Sequence, residues 1–221
     1  MWKKNRKFIP YSIFFFVLFG FGISLQLKAA IGQSVLNAMA VTTAFVIPLK
    51  VGTLLNIINT LFFITYLLFR HTRLNYKDGI QIIATILNGI IINFFLYNIL
   101  WGFTVSHYGY RVLLYLTGLV IASISLGAVL AIGIIKFPLE SLCLTISERT
   151  RYSLTVIRMS FDVIFLIVTL IITFIARTPL QIREGTLISV LLLSPLLGIC
   201  YDFFKKHWKM EESLHVSDIP N

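Results

Sequence analysis

The 221-residue chain predicts an all-α polytopic membrane protein with six transmembrane helices, and three observations carry that expectation. Six stretches are each apolar over the roughly 20 residues that a helix rising about 1.5 Å per residue needs to cover about 30 Å of hydrocarbon. The Lys and Arg residues fall mainly on alternate sides of those stretches. The composition is 57% hydrophobic with a mean hydropathy of +0.88, and no Pro/Ser/Gly linker or low-complexity tract marks a second domain. The expected spans are 9–27, 51–69, 80–103, 112–135, 154–175 and 186–204, all in one transmembrane domain over 1–204, followed by a polar tail over 205–221.

The first span follows Lys3, Lys4, Arg6 and Lys7, the arrangement that opens a secretory signal. Its apolar run is longer than a usual signal core, and the small residues at Ala29-Ala30 lead into five more spans rather than a soluble domain, so the segment is expected to stay attached. Residues 28–50, KAAIGQSVLNAMAVTTAFVIPLK, are apolar enough for a further crossing. A crossing there would leave no loop before Val51 and would move Arg70, Arg73 and Lys77 to the wrong side. The segment therefore reads as re-entrant or interfacial. Gly32 and Ser34 suit a turn followed by a helix start, because glycine permits conformations closed to other residues and a serine oxygen can accept a bond from an orphan N–H.

The second span carries Asn56 and Asn59, and the third carries Asn88 and Asn93. After the fourth span comes Lys136-Phe137-Pro138-Leu139-Glu140-Ser141-Leu142, with proline where a first helical turn tolerates it. The fifth span holds Arg158 and Asp162, four apart and so on one face. The sixth precedes Lys205, Lys206 and Lys209.

With the N-terminus inside, thirteen basic residues lie on the inner side and five (Lys28, Lys50, Arg111, Arg177, Arg183) on the outer, Arg158 being inside a span. Both termini are thus expected in the cytoplasm. The net charge of +10 is assigned to flanks attracted to anionic headgroups of the bilayer, and nucleic acid is excluded as a partner. Cys143 and Cys200 fall toward the side where thiols stay reduced. Shifting the first half by 103 residues places Leu36-Asn37 on Leu139-Glu140 and Asn59 on Asp162; a shift of 106 places Gly79 on Gly185 and Asn88 on Ser194. Two units of three spans enter a membrane from opposite sides, so an architecture of two inverted three-helix repeats, with short half-helices after the first and fourth spans (33–39 and 138–144), is expected.

Gly20 and Gly22, Ala30-Ile31-Gly32-Gln33-Ser34, Pro138-Leu139-Glu140-Ser141-Leu142, Arg158 with Asp162, and Gly185-Thr186-Leu187-Ile188 together resemble the YczE/YyaS/YitT-type integral membrane proteins of bacteria. The chain departs from that pattern at Val35-Leu36-Asn37, where the family carries proline, an aromatic and an acid, at Asn93, where an acid lies nearby, and at Ser194-Pro195, where it carries Gly-Pro. The resemblance implies a multispanning protein of the bacterial cytoplasmic membrane with a transport-like architecture, and no particular substrate.

Asp162 lies about 12 Å into the hydrocarbon when counted from Leu154, and charges at such depth cost about 3 kcal/mol each on insertion scales and mark functional sites by default. Asn59 and Asn88 come out at similar depth. A small-solute site built from Asn59, Asn88, Asn93, Arg158 and Asp162 is therefore expected, with the half-helix residues Gln33, Ser34, Asn37 and Glu140 beside it. Two functions stay open: a small-solute transporter, or the membrane substrate-binding subunit of one, and a non-transporting accessory protein that stabilises or anchors a protein partner or a second copy. Asparagine in a span is also interhelical glue, and an Arg–Asp pair can simply neutralise itself. Catalysis is not expected: the chain has no H-E-x-x-H, G-x-S-x-G or phosphate loop. The histidines at 71, 107, 207 and 215 lie in loops or the tail, so no metal or other cofactor is expected.

Overall fold

Residues 6–70, 76–135, 137–152 and 154–208 are described by a computed structural model; Lys3, Lys4, His71, Arg73, Lys136, Lys209 and the rest of the tail lie outside the described residues. After a 3-10 turn at Arg6–Phe8, the chain forms α1 (Ile9–Ala29), α2 (Val35–Val46), α3 (Val51–Arg70), α4 (Tyr76–Phe94), α5 (Tyr108–Ile132), α6 (Pro138–Arg149), α7 (Leu154–Ala176) and α8 (Glu184–His207). A π-helical turn, Phe95–Ile99, prolongs α4. No strand occurs among the described residues. Among the described residues six helices are long and apolar enough to cross a membrane. With 12 residues each, α2 and α6 reach about 18 Å and fall short of a crossing.

Several boundaries differ from the sequence reading. The third span ends its α-helical part at Phe94 and its π turn at Ile99, leaving Trp101 and Phe103 as exposed aromatic residues beyond it, the composition of an interfacial belt. The fourth begins at Tyr108 and stops at Ile132, because Gly133 takes φ of 69° and its N–H returns to Val129 O, a left-handed C-cap. The sixth runs from Glu184 to His207 and carries Pro195 in its interior. The half-helices are also longer than 33–39 and 138–144, since nothing in Ala40–Val46 or Thr145–Arg149 breaks a helix.

The centre of the bundle is α1 against α5, with α8 also packed on α5 and its end meeting α1 through the Phe15 and Phe204 rings. Close approach rests on small residues: a Cβ on Gly22 would lie 2.8 Å from Ala122 N, and one on Gly118 would lie 2.7 Å from Gly22 O. In hydrocarbon, where no hydrophobic force draws helices together, such approach supplies the packing. The short helices cross between the two halves of the sequence, α2 lying on α7 and α6 on α3. Their first turns meet where Val35 of α2 is buried with Leu139 and Cys143 of α6 and Ile157 and Phe165 of α7. At the other end of α6, Arg149 Nη2 donates to Arg70 O at 3.2 Å.

Candidate functional site

Local sequence brings a charge to each side of that junction. Phe137 is the extended N-cap of α6 and Pro138 opens the helix, so Glu140 falls in the first turn, where a carboxylate is favoured by the helix dipole. On α7, Arg158 and Asp162 are one turn apart. Arg158 Nη1 donates to Glu140 Oε1 at 2.6 Å. Its Nε is 3.7 Å from Asp162 Oδ1, too far for a hydrogen bond, and that buried nitrogen has no hydrogen-bond partner among the described residues. The three side chains are each about one-third exposed (33% for Arg158, 34% for Glu140 and for Asp162), so the cluster is neither sealed nor fully solvated. Two carboxylates thus flank one guanidinium, and Glu140, 18 residues away, makes the tighter contact.

Cys143 lies one turn beyond Glu140 and is 1% exposed. Burial pushes its thiol up to about 11, with the Arg158 charge pulling the other way. The neutral thiol is therefore the form present at physiological pH, which makes this cysteine a packing residue and a poor nucleophile.

The asparagines go elsewhere. Gly52 N–H donates to Asn93 Oδ1 at 2.9 Å and Asn93 Nδ2 to Thr53 Oγ1 at 3.1 Å. Reciprocally, Gly89 N–H donates to Asn56 Oδ1 at 3.1 Å and Asn56 Nδ2 to Ile86 O at 3.0 Å. Gly52 and Gly89 sit between, each placed so that a Cβ would collide with the other's carbonyl oxygen. Asn93 is thus part of a clamp joining α3 to α4, not of the charged cluster. Asn88 is 6% exposed with its Oδ1 unpartnered, and Asn59 is half-buried on α3. Among the described residues no hydrogen bond joins either to Arg158 or Asp162.

The residues around the start of α2 form a second polar region. Ser34 occupies the N-cap position but its side chain makes no capping bond, unlike the sequence expectation. Gly32 has φ of 110°, a conformation glycine alone adopts readily, and this turn lays Ile31 O against the N–H of Gly185 at 2.8 Å. Arg183 Nη1 donates to Ala30 O at 3.0 Å, so the loop before α2 is held against the start of α8. Gln33 is 2% exposed with Nε2 unpartnered, and Asn37 is 7% exposed on the first turn of α2.

Of the expected set, the structure therefore joins Arg158, Asp162 and Glu140, separates Asn93 from them, and keeps Gln33, Ser34 and Asn37 at the head of α2. Among the partnerships that sequence reasoning missed are Glu140 with Arg158, Arg70 with Asp78 at 2.7 Å, and Gln81 with Ser141, whose side chains are buried and bonded at 3.2 Å. The one available signal was that each polar residue in an apolar stretch needs a partner.

The family model of DUF6198, a family of unknown function, matches residues 6–202, so the chain belongs to that family. No curated protein and no solved structure matches it.

Proposed function

We propose that this DUF6198 protein is a bacterial cytoplasmic-membrane protein with both termini in the cytoplasm, and that it moves a small solute or forms the membrane subunit that binds one. The observation that carries this reading is the Glu140–Arg158–Asp162 cluster at the junction of a short helix with a long one. Three charges at depth are a costly means of packing helices, since apolar side chains of like volume pack as well or better. Transporters also build their sites from the ends of half-helices near the midplane, at the interface of two structural repeats, and the first turn of the short helix α6 carries Glu140 to Arg158. The crossing of α2 onto α7 and of α6 onto α3 supports an inverted-repeat arrangement of the two halves.

Water access tests the reading. In a background lacking Cys143 and Cys200, cysteine introduced at Asn59 or Asp162 is expected to react with a charged, membrane-impermeant thiol reagent from one side. Protection at both positions from both sides, in a folded protein, would remove the transport reading. A second reading, an accessory protein that holds a partner, draws on α8, where a Cβ on Gly198 would meet nothing within 4 Å, leaving a small residue on an open face of the kind along which helices approach closely in lipid.

A further inference from the structure

Past the end of α4, Gly102 takes φ of 73° and the Phe103 N–H returns to Leu100 O at 3.1 Å, so the chain turns before it enters α5. Between residues 103–106 and the first turns of α5 lies a groove of about 580 Å³. Its floor is Tyr110, Leu113, Leu114 and Thr117, a spacing that puts all four on one face of the helix. The Thr117 hydroxyl donates to Leu113 O within the helix, so the deeper end of the floor is apolar in effect. Arg111 Nε donates to Val105 O at 2.6 Å and thereby pins the wall of the groove to α5.

The dimensions and the charge match one kind of molecule. From His107 to Thr117 a helix rises about 15 Å, half of the roughly 30 Å of hydrocarbon in a bilayer, so the groove is about one leaflet long. Trp101, Phe103, Tyr108 and Tyr110 are exposed at its shallow end, the residue types that sit at headgroup level. No Asp or Glu occurs from residue 79 to residue 139, and among the described residues Arg111 joins no ion pair. A guanidinium has five N–H donors, so the bond to Val105 O leaves donors and the whole charge available at that level.

We propose that this groove holds one anionic phospholipid, with an acyl chain along Leu113, Leu114 and Thr117 and the phosphate against the Arg111 guanidinium. A lipid that merely coats a helix needs only apolar side chains. A walled slot one leaflet long, with a basic group and no carboxylate at its headgroup end, fits both parts of the molecule. The proposal rests on the membrane placement in the functional reading and on nothing about transport.

The experiment is native mass spectrometry of the full-length protein in neutral detergent, reading the affinity of the first lipid bound for phosphatidylglycerol and for phosphatidylcholine with identical acyl chains. Phosphatidylglycerol is expected to bind about fivefold more tightly. Arg111→Gln is expected to remove that preference and to leave phosphatidylcholine unchanged. Thr117→Trp fills the deep end of the groove and should weaken both lipids; it lies on an exposed face and decides the matter if Arg111→Gln fails to fold. Lys206→Gln, at the far end of α8, keeps the full preference. A large excess of glycerol 3-phosphate, the headgroup without chains, should displace nothing. Equal affinities in the unaltered protein, a full preference in Arg111→Gln, undiminished binding in Thr117→Trp or displacement by glycerol 3-phosphate would each overturn the proposal. None of these outcomes bears on thiol access at Asp162, so the two readings fail separately.

Discussion

The α3–α4 pair and the α7–α8 pair occupy corresponding places in the two halves of the sequence, yet one is closed and the other open. Between α3 and α4, Gly52 and Gly89 bring the backbones together and Asn56 and Asn93 bond across the gap in both directions. Helices α7 and α8 barely touch; α7 rests on α2 and α6, and α8 on α5. Under the shifts of 103 and 106 residues, Asn56 corresponds to Met159 and Asn93 to Ile199, and these are 60% and 67% exposed. An apolar side chain gains nothing by leaving lipid for another helix, whereas an amide bonded across two backbones does. The difference teaches that the short helices α2 and α6, not pairing with α8, hold α7 in place, and that the charged cluster lies on the loosely held side.

The largest effect is expected from filling the closed crossing. Gly89→Leu has no room for its side chain and should lower stability by about 3 kcal/mol or prevent folding, seen as a large fall in melting temperature in detergent. A Cβ on Gly198 of α8 would meet nothing within 4 Å, so Gly198→Leu should change stability by no more than about 0.5 kcal/mol. Similar losses at both positions would end the comparison.

Next come the charges. Removing either carboxylate strands part of a guanidinium, and breaking a fully buried pair costs about 3–5 kcal/mol; with each side chain about one-third exposed, about 2 kcal/mol is expected for Glu140→Gln. Because Glu140 makes the 2.6 Å contact and Asp162 only the 3.7 Å one, Asp162→Asn should cost less stability while changing function. If instead Asp162→Asn melts much earlier and the double change Arg158→Leu with Asp162→Leu restores it, the cluster belongs to packing and the accessory reading stands.

Smaller still is the clamp itself. Asn56→Leu and Asn93→Leu are each expected to cost about 1 kcal/mol, the range measured for interhelical hydrogen bonds in membranes. A double-mutant comparison should show the pair coupled through the shared Gly52–Gly89 crossing, and additive effects would mean that the two amides act separately.

At neutral pH the smallest effect is expected at Cys143, whose thiol is protonated there whether folded or not. With the thiol raised from 9.0 to about 11 by burial, the folded state holds its proton where the unfolded state has lost it. The stability this contributes is present below about pH 9 and lost as pH rises from about 9 to about 11. Cys143→Ser should flatten that slope; an unchanged slope would place the alkaline loss elsewhere.

Sequence by itself determined the number of long apolar helices, the too-short segments after the first and fourth of them, the turn at Gly32 and the pairing of Arg158 with Asp162 along one face. All of these are set by composition, periodicity and local backbone chemistry, which act over a few residues. Only the tertiary structure decided that Glu140 is the tighter partner of Arg158, that Asn56 and Asn93 clamp two backbones instead of lining the charged cluster, and that Arg183 holds the loop before α2 against the start of α8. Those outcomes depend on which helices cross and at what height. An amide or a carboxylate in an apolar stretch announces that it needs a partner, but the partner is fixed by packing across separations of 18 to 153 residues, and no local pattern carries that information.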